Sequence, residues 1–216
     1  MIRHGESIWN VLRQQYPGEE ERYHPRMWTI DCDITDRGVQ QARRAGEHLA
    51  SEIDGIDLFI VSPLRRALQT AHLVLETLPY EPKKVLISKD VSEVMLDPCD
   101  IGSSPERLSK EFPEWDFSHL EESWWYGGLS SEETLAQMKE RNGLENEEAA
   151  KTRIGSLVAF LRQIESGNIL IVCHGDLIWG ITSCQKKGEA WGLRAENGEV
   201  IDITSYIDPE HSGEST

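Results

Sequence analysis

The chain has no run approaching about 18 apolar residues, so no segment reads as a membrane span. Its N-terminus also lacks the basic stretch and apolar core of a secretory leader. The four cysteines, Cys32, Cys99, Cys173 and Cys184, show no CxxC spacing, and Cys173 and Cys184 sit in apolar surroundings. That pattern argues against a zinc site or a disulfide framework and for reduced thiols. Basic residues are scarce: 22 Lys and Arg face 38 Asp and Glu, a formal net charge of −16. Such a chain repels nucleic acid and anionic membrane at long range, so neither is an expected partner. An anionic ligand would need a local positive pocket. There is no internal repeat or low-complexity tract. A soluble, cytoplasmic protein is expected, with its oligomeric state open.

At 216 residues and 38% hydrophobic composition, the chain can bury the core of one fairly large domain. Short apolar runs alternate with helical patterns, which predicts an α/β fold on a mostly parallel sheet. Leu58–Val61, Val85–Ile87 and Ile169–Cys173 are the strand candidates. Only Met1 and Ile2 precede Arg3, so the first strand is expected to be truncated, although His4 should end a central strand. Thr35-Asp36 starts a helix to about Glu52, with Val39, Ala42, Ala45, Gly46 and Leu49 on one face. Ser62-Pro63 opens a second, carrying Leu64, Ala67, Leu68, Ala71, Leu75 and Leu78 at helical spacing. A helix from about Glu145 to Ile164 and another through Leu177, Ile178 and Ile181 flank the last strand. Residues 98–145 break the pattern and are expected to form an insertion or lid on a single domain of residues 1–207. Asn197-Gly198 suggests a hairpin at the sheet edge, and residues 208–216 a polar tail.

In an open parallel sheet, ligands lie beyond the carboxyl ends of the strands. Arg3-His4, Ser62 to Arg66, and His174-Gly175 all fall there. Loop amides and helix N-termini favour anions, guanidinium groups fork onto phosphate oxygens, and a neutral imidazole can attack phosphorus. Two histidines that each leave a strand, one beside an arginine, can converge on a single phosphoryl group.

Four ordered blocks carry a resemblance. They are Arg3-His4-Gly5-Glu6-Ser7 with Asn10; Ile34-Thr35-Asp36-Arg37-Gly38 with Gln41-Ala42; Ser62-Pro63-Leu64-Arg65-Arg66-Ala67 with Thr70-Ala71; and Val172-Cys173-His174-Gly175. Together they resemble the histidine phosphatase, or phosphoglycerate mutase-like, superfamily. The resemblance implies a three-layer α/β/α fold. It implies that His4 is the nucleophile and becomes phosphohistidine, while Arg3, Arg66 and His174 hold the transferring phosphoryl group. Arg66, not Arg65, directly precedes the alanine of its block. Asn10 matches a further phosphate-contacting position, and Gly175 follows the second histidine. No metal or cofactor is implied, since cationic side chains take the part of Mg²⁺ against the charge of the transition state. Glu93 matches the family's acid position. A carboxyl group near phosphate can keep its proton near neutral pH, give it to the leaving group and then activate water. Glu122, ahead of Trp124-Trp125-Tyr126-Gly127-Gly128, is a second candidate on poorer spacing. Asp97-Pro98-Cys99-Asp100-Ile101-Gly102 resembles a segment of a fungal and plant branch of the superfamily.

His24, His48, His72, His119 and His211 read as surface or structural residues, Ser62 as a helix cap, and Arg65 as secondary. Trp115, Phe117, Trp124, Trp125 and Tyr126 read first as packing of the insertion and second as a lid over an organic leaving group. Glu19-Glu20-Glu21 reads as a solvated loop, with Arg22, Tyr23, His24 and Arg26 near the pocket in sequence. The leading expectation is a metal-independent phosphatase acting on a small phosphorylated substrate, because the residues after Glu93 lack the mutase's long substrate-enclosing motif. The alternatives are a phosphoglycerate mutase, which passes phosphate within a small sugar acid, and a non-catalytic protein that binds a phosphorylated ligand in the same pocket.

Overall fold

A computed structural model of the chain describes residues 1–18, 24, 27–141, 144–164, 167–184 and 194–202. Four parallel strands, β1 (Ile2–Arg3), β2 (Leu58–Val61), β3 (Val85–Ile87) and β4 (Ile169–Cys173), lie in the order β1-β4-β2-β3. The unbroken apolar runs of β2 and β4 suit strands covered on both faces. Alternate side chains accordingly divide between two cores. Ile2, Phe59, Val61, Leu170 and Val172 pack with α2 (Asp36–Glu52) and α3 (Arg65–Thr77). Ile60, Ile171 and Cys173 pack with α6 (Glu147–Arg162) and α7 (Gly175–Cys184). The result is the expected three-layer α/β/α arrangement.

Thr35 caps α2 as its sequence predicts, with Oγ1 accepting the Gly38 N–H at 3.1 Å. α3 begins later than expected, at Arg65, because Leu64 holds extended backbone at its N-cap. An unanticipated helix, α1 (Ile8–Gln15), starts at a capping box in which Ser7 and Asn10 bond each other's backbone N–H. The usual signature has Glu or Gln three residues after the cap. Asn in that place hides the signal.

Between residues 98 and 145 lie α4 (Pro105–Glu111) and α5 (Ser131–Arg141). Trp115 and Phe117 belong to the main core, whereas Trp124 and Trp125 form a separate cluster with Leu64, Met95, Ile101, Leu135 and Met138. Both ring nitrogens of the latter pair are satisfied, by the Ser103 carbonyl and Thr134 Oγ1. Packing therefore accounts for these four aromatics, while Tyr126 is exposed.

β1 is short, as expected, but it is the outermost of the four strands rather than a central one. Its inner edge pairs Ile2 with Val172 and Arg3 with Cys173. Its outer edge meets residues 198–201: Arg3 N–H donates to the Glu199 carbonyl at 3.2 Å, and Ile201 N–H to that of Met1 at 2.8 Å. Gly198, at φ 75°, turns this segment in the left-handed region. Most of the anticipated hairpin, with arms at 191–195 and 200–206, lies outside the described residues; within them an isolated antiparallel bridge joins Val200 to Ile2. Residues 19–23, 25, 26, 191–193 and 208–216 lie outside the described residues. No described helix is long and apolar enough to cross a membrane.

Candidate active site

The register that pairs Arg3 with Cys173 makes His4 and His174 the next residues along two neighbouring strands. Their rings stand 5.2 Å apart between centroids, tilted by 55°. Residues of the motif blocks brace the loop that carries His4. Gly5 N–H donates to Thr70 Oγ1 at 3.0 Å, and Glu6 N–H to Gln41 Oε1 at 2.7 Å. This loop and the first turn of α2 meet backbone to backbone, so a Cβ on Gly38 would stand 2.3 Å from the Glu6 carbonyl oxygen.

His4 Nδ1 lies 2.7 Å from the Gly5 carbonyl, which can only accept. Nδ1 therefore bears the ring proton, and the Nε2 lone pair faces Arg66 Nε–H at 3.3 Å. Burial, then Arg66 and Arg3, hold the His4 pKa well below the ordinary 6.5, so the ring is neutral. Burial, then Arg66, His4 and Arg3, do the same to His174. His174 Nε2 is 2.7 Å from Ser62 Oγ. Since Ser62 Oγ already accepts the Leu64 N–H at 3.3 Å, its own proton is available to Nε2. With Ser62 donating to Nε2, the proton of His174 stands on Nδ1, a buried atom with no partner. Ser62 is thus a partner of the second histidine, beyond the helix-capping part expected of it.

Arg66 is buried and fixed at every arm. Besides His4, it donates from Nη1 to the Cys99 carbonyl at 2.7 Å and from Nη2 to Asp100 Oδ1 at 2.8 Å. Asp100 is held in turn by the N–H groups of Leu96 and Asp97, at 3.2 and 2.8 Å. Sequence reasoning assigned Asp100 no part in the site. Its signal was the Asp97-x-x-Asp100 capping box, which closes a 3₁₀ turn at Pro98–Asp100. Arg3 donates from Nη1 to the Ala195 carbonyl at 2.6 Å, while its Nε is buried without a partner. Its guanidinium fills the space beside Gly175, where a Cβ would lie 3.1 Å from Arg3 Nε. Asn10 Oδ1 is occupied by Ser7 and by Asn197 Nδ2, leaving its amide nitrogen for a ligand.

Glu93, half-buried, accepts the N–H of Val94 and Leu177 on Oε1 and that of Asp176 on Oε2, at 3.1 to 3.3 Å. Burial, then Asp176 and Asp100, push its carboxyl up to about 8, against the pull of Arg66. The segment carrying it is clamped by Arg153, which donates to the carbonyls of Asp90 and Ser92 and pairs with buried Glu145. Glu122 is exposed and lines no cavity near these groups.

Arg3, His4, Asn10, Arg66, Glu93 and Gly175 line one cavity of about 310 Å³. His174, wholly buried and in ring contact with His4, is not on that wall. A neighbouring cavity of about 280 Å³ shares Glu93 and Asp100 and is walled by Trp124, Trp125 and Tyr126. A further cavity, about 920 Å³, runs along β3 and α6 and contains none of the candidate groups.

Arg65 is structural: it donates to Glu111 and Asp31 and pairs with Asp33. His72 pairs with Glu114 at the surface, and His119 bonds the Ile87 carbonyl.

Two 2,3-bisphosphoglycerate-dependent phosphoglycerate mutases, from Azorhizobium caulinodans and Methylobacterium radiotolerans, are 36% and 37% identical to the chain over 93 residues. The match covers 43% of this chain and 40% and 39% of theirs, less than half the length of either relative. The alpha-ribazole phosphatase from Shigella flexneri superposes with a TM-score of 0.53 at 24% identity, over 91% of this chain and 85% of that one. At that identity the likeness is one of fold. The model of the histidine phosphatase superfamily (branch 1) matches residues 1–206, from the first strand through all the motif blocks. With that coverage and this α/β architecture, the chain belongs to the histidine phosphatase superfamily.

Proposed function

We propose that the chain is a metal-independent phosphomonoesterase that works through phosphohistidine on His4, with Glu93 as proton donor. One observation carries this reading: a neutral imidazole with an unprotonated Nε2 shares a cavity with a carboxyl group whose pKa is about 8. Near neutral pH, nucleophile and acid are both in working form.

When a phosphate ester enters, one of its oxygens replaces Nε2 as acceptor of the Arg66 Nε–H and frees the lone pair for in-line attack on phosphorus. Arg66, Arg3 Nε–H, the Asn10 amide and His174 Nδ1–H take up the charge on the phosphoryl oxygens. As the P–O bond breaks, Glu93 gives its proton to the leaving oxygen. The resulting carboxylate takes a proton from water while the water oxygen attacks phosphorus, and the P–N electron pair returns to Nε2.

The wall beyond the phosphate position favours hydrolysis over transfer within a sugar acid. It carries Asp97, Asp176 and Glu196, and among the described lining residues Arg194 is the one cation besides Arg3 and Arg66. A substrate carboxylate needs its own cation and is repelled by this wall. An uncharged organic leaving group suits it better. The partial match to phosphoglycerate mutases supports the transfer reading instead.

The full chain incubated with an aryl phosphate and quenched at alkaline pH, where phosphohistidine survives, should carry phosphate on His4 and release inorganic phosphate. His4→Ala should do neither. A folded wild-type chain that does neither would sink the proposal. Retention of phosphate on glycerate, stimulated by a bisphosphorylated primer, would establish the mutase reading.

A further inference from the structure

The chemistry above uses no thiol, yet two thiols share a buried cluster beside it. We propose that Cys32 and Cys99 form a peroxide-modified site, in which oxidation links them as a disulfide and disables the phosphate clamp at Arg66.

The two side chains share a small buried cluster with Trp9 and Met27. The position of Cys32 is imposed by its neighbour. Asp31 is buried at φ 44°, in the left-handed region that an L side chain seldom enters. It is held there by Arg65, whose N–H donates to Oδ1 at 2.8 Å and whose Nη1 donates to the Asp31 carbonyl at 3.2 Å. Cys99 lies on the wall of the cavity with His4 and Arg66, so a small oxidant can enter where phosphate enters. The neighbouring Cys99 and the charge of Arg66 bring the Cys32 thiol down to about 7, against burial. Burial pushes Cys173 up to about 12 and Cys99 well above its ordinary value, so Cys32 is the thiol of the pair that ionises.

A thiolate of the pair attacks the O–O bond of hydrogen peroxide, forming a sulfenic acid and releasing hydroxide, which takes up the thiol's proton. The partner thiol then attacks the sulfenic sulfur, the S–S bond forms and a second water leaves. Two thiols are oxidised, and one peroxide is reduced to two waters. The coupling to phosphate is direct. The Cys99 carbonyl accepts Arg66 Nη1 at 2.7 Å, and the Cys99 thiol reaches Asp100 Oδ1, the acceptor of Arg66 Nη2, at 3.5 Å. Drawing Cys99 Sγ to Cys32 disturbs both anchors of the guanidinium.

The effect on activity rests on the phosphatase reading, whereas the linkage and its effect on phosphate binding are read without turnover. Peroxide treatment of the full chain should yield a Cys32–Cys99 linked peptide by mass spectrometry. It should weaken inorganic phosphate binding in calorimetry, and lower aryl phosphate hydrolysis, by about tenfold or more. Dithiothreitol should reverse all three. Cys32→Ser should match the untreated wild type and resist peroxide. The proposal is overturned if no linked peptide forms, if the linked protein binds phosphate as before, or if Cys32→Ser loses binding under peroxide just as wild type does. A linked chain that loses phosphate binding but never hydrolyses an ester would uphold the thiol pair and overturn the phosphatase reading alone.

Discussion

Glu93 and His4 are displaced in opposite directions from their ordinary values, and together they set a pH window. His4 stays neutral down to well below 6.5, and Glu93 keeps its proton up to about 8. For a substrate with a poor leaving group, kcat/KM should fall as pH rises through about 8, and Glu93→Gln should abolish that limb along with most of the rate. Stability follows the same carboxyl. Because the folded pKa lies above the unfolded 4.5, the folded chain binds the extra proton between those values and loses stability as pH rises from 4.5 to about 8. Glu93→Gln lacks this loss, so its thermal midpoint should gain on wild type across that interval. Ser62→Ala should leave the fold intact and lower kcat by about tenfold to a hundredfold, as expected when the orienting partner of an active-site histidine is removed. The ¹⁵N shifts of His174 should report a change of tautomer. At this scale the motif residues were legible because each reacting group stands in its own block. Asp100, Ser62 and the Arg153–Glu145 clamp were not, because their partners come from other elements.

α2, β2 and β4 have the bounds that the sequence suggests, since a caps-and-stripes helix and short apolar runs announce themselves locally. α1 escaped for want of an acidic or Gln partner in its capping box. The later start of α3 reflects a Ser62 hydroxyl engaged with Leu64 N–H and His174 instead of a helical first turn. The contact between α2 and the His4 loop rests on Gly5 and Gly38. A Cβ at either would meet the other segment's backbone at 2.4 or 2.3 Å. Gly38→Ala should therefore cost about 1–3 kcal/mol by chemical denaturation, and should also lower activity because the loop it pushes carries His4, the proposed nucleophile.

Across the whole molecule, the α/β layering was readable from the alternation of elements, but the strand order was not. Order is set by which apolar faces meet at long range, and no local signal records that β1 would lie outermost. Nor could the sequence show that residues 198–201 would close its outer edge. The segment leading into this clasp also supplies Ala195 as the acceptor that aims Arg3. Removing residues 194–216 should lower the thermal midpoint and weaken inorganic phosphate binding together, measured by calorimetry on one preparation. A truncated chain that kept full affinity would show that Arg3 finds its place without the clasp.

The adjacency of β1 and β4 has a further meaning. The gap between His4 and His174 is a sheet spacing, held by ladder bonds such as that from His4 N–H to the Cys173 carbonyl at 2.9 Å. Surface loops set the walls around that gap, and loops can be rebuilt without touching a ladder. Under the proposed reaction, recognition of phosphate and choice of alcohol thus rest on separate parts of the fold. A new leaving group could be accommodated by exchanging the wall residues while the two histidines keep their separation.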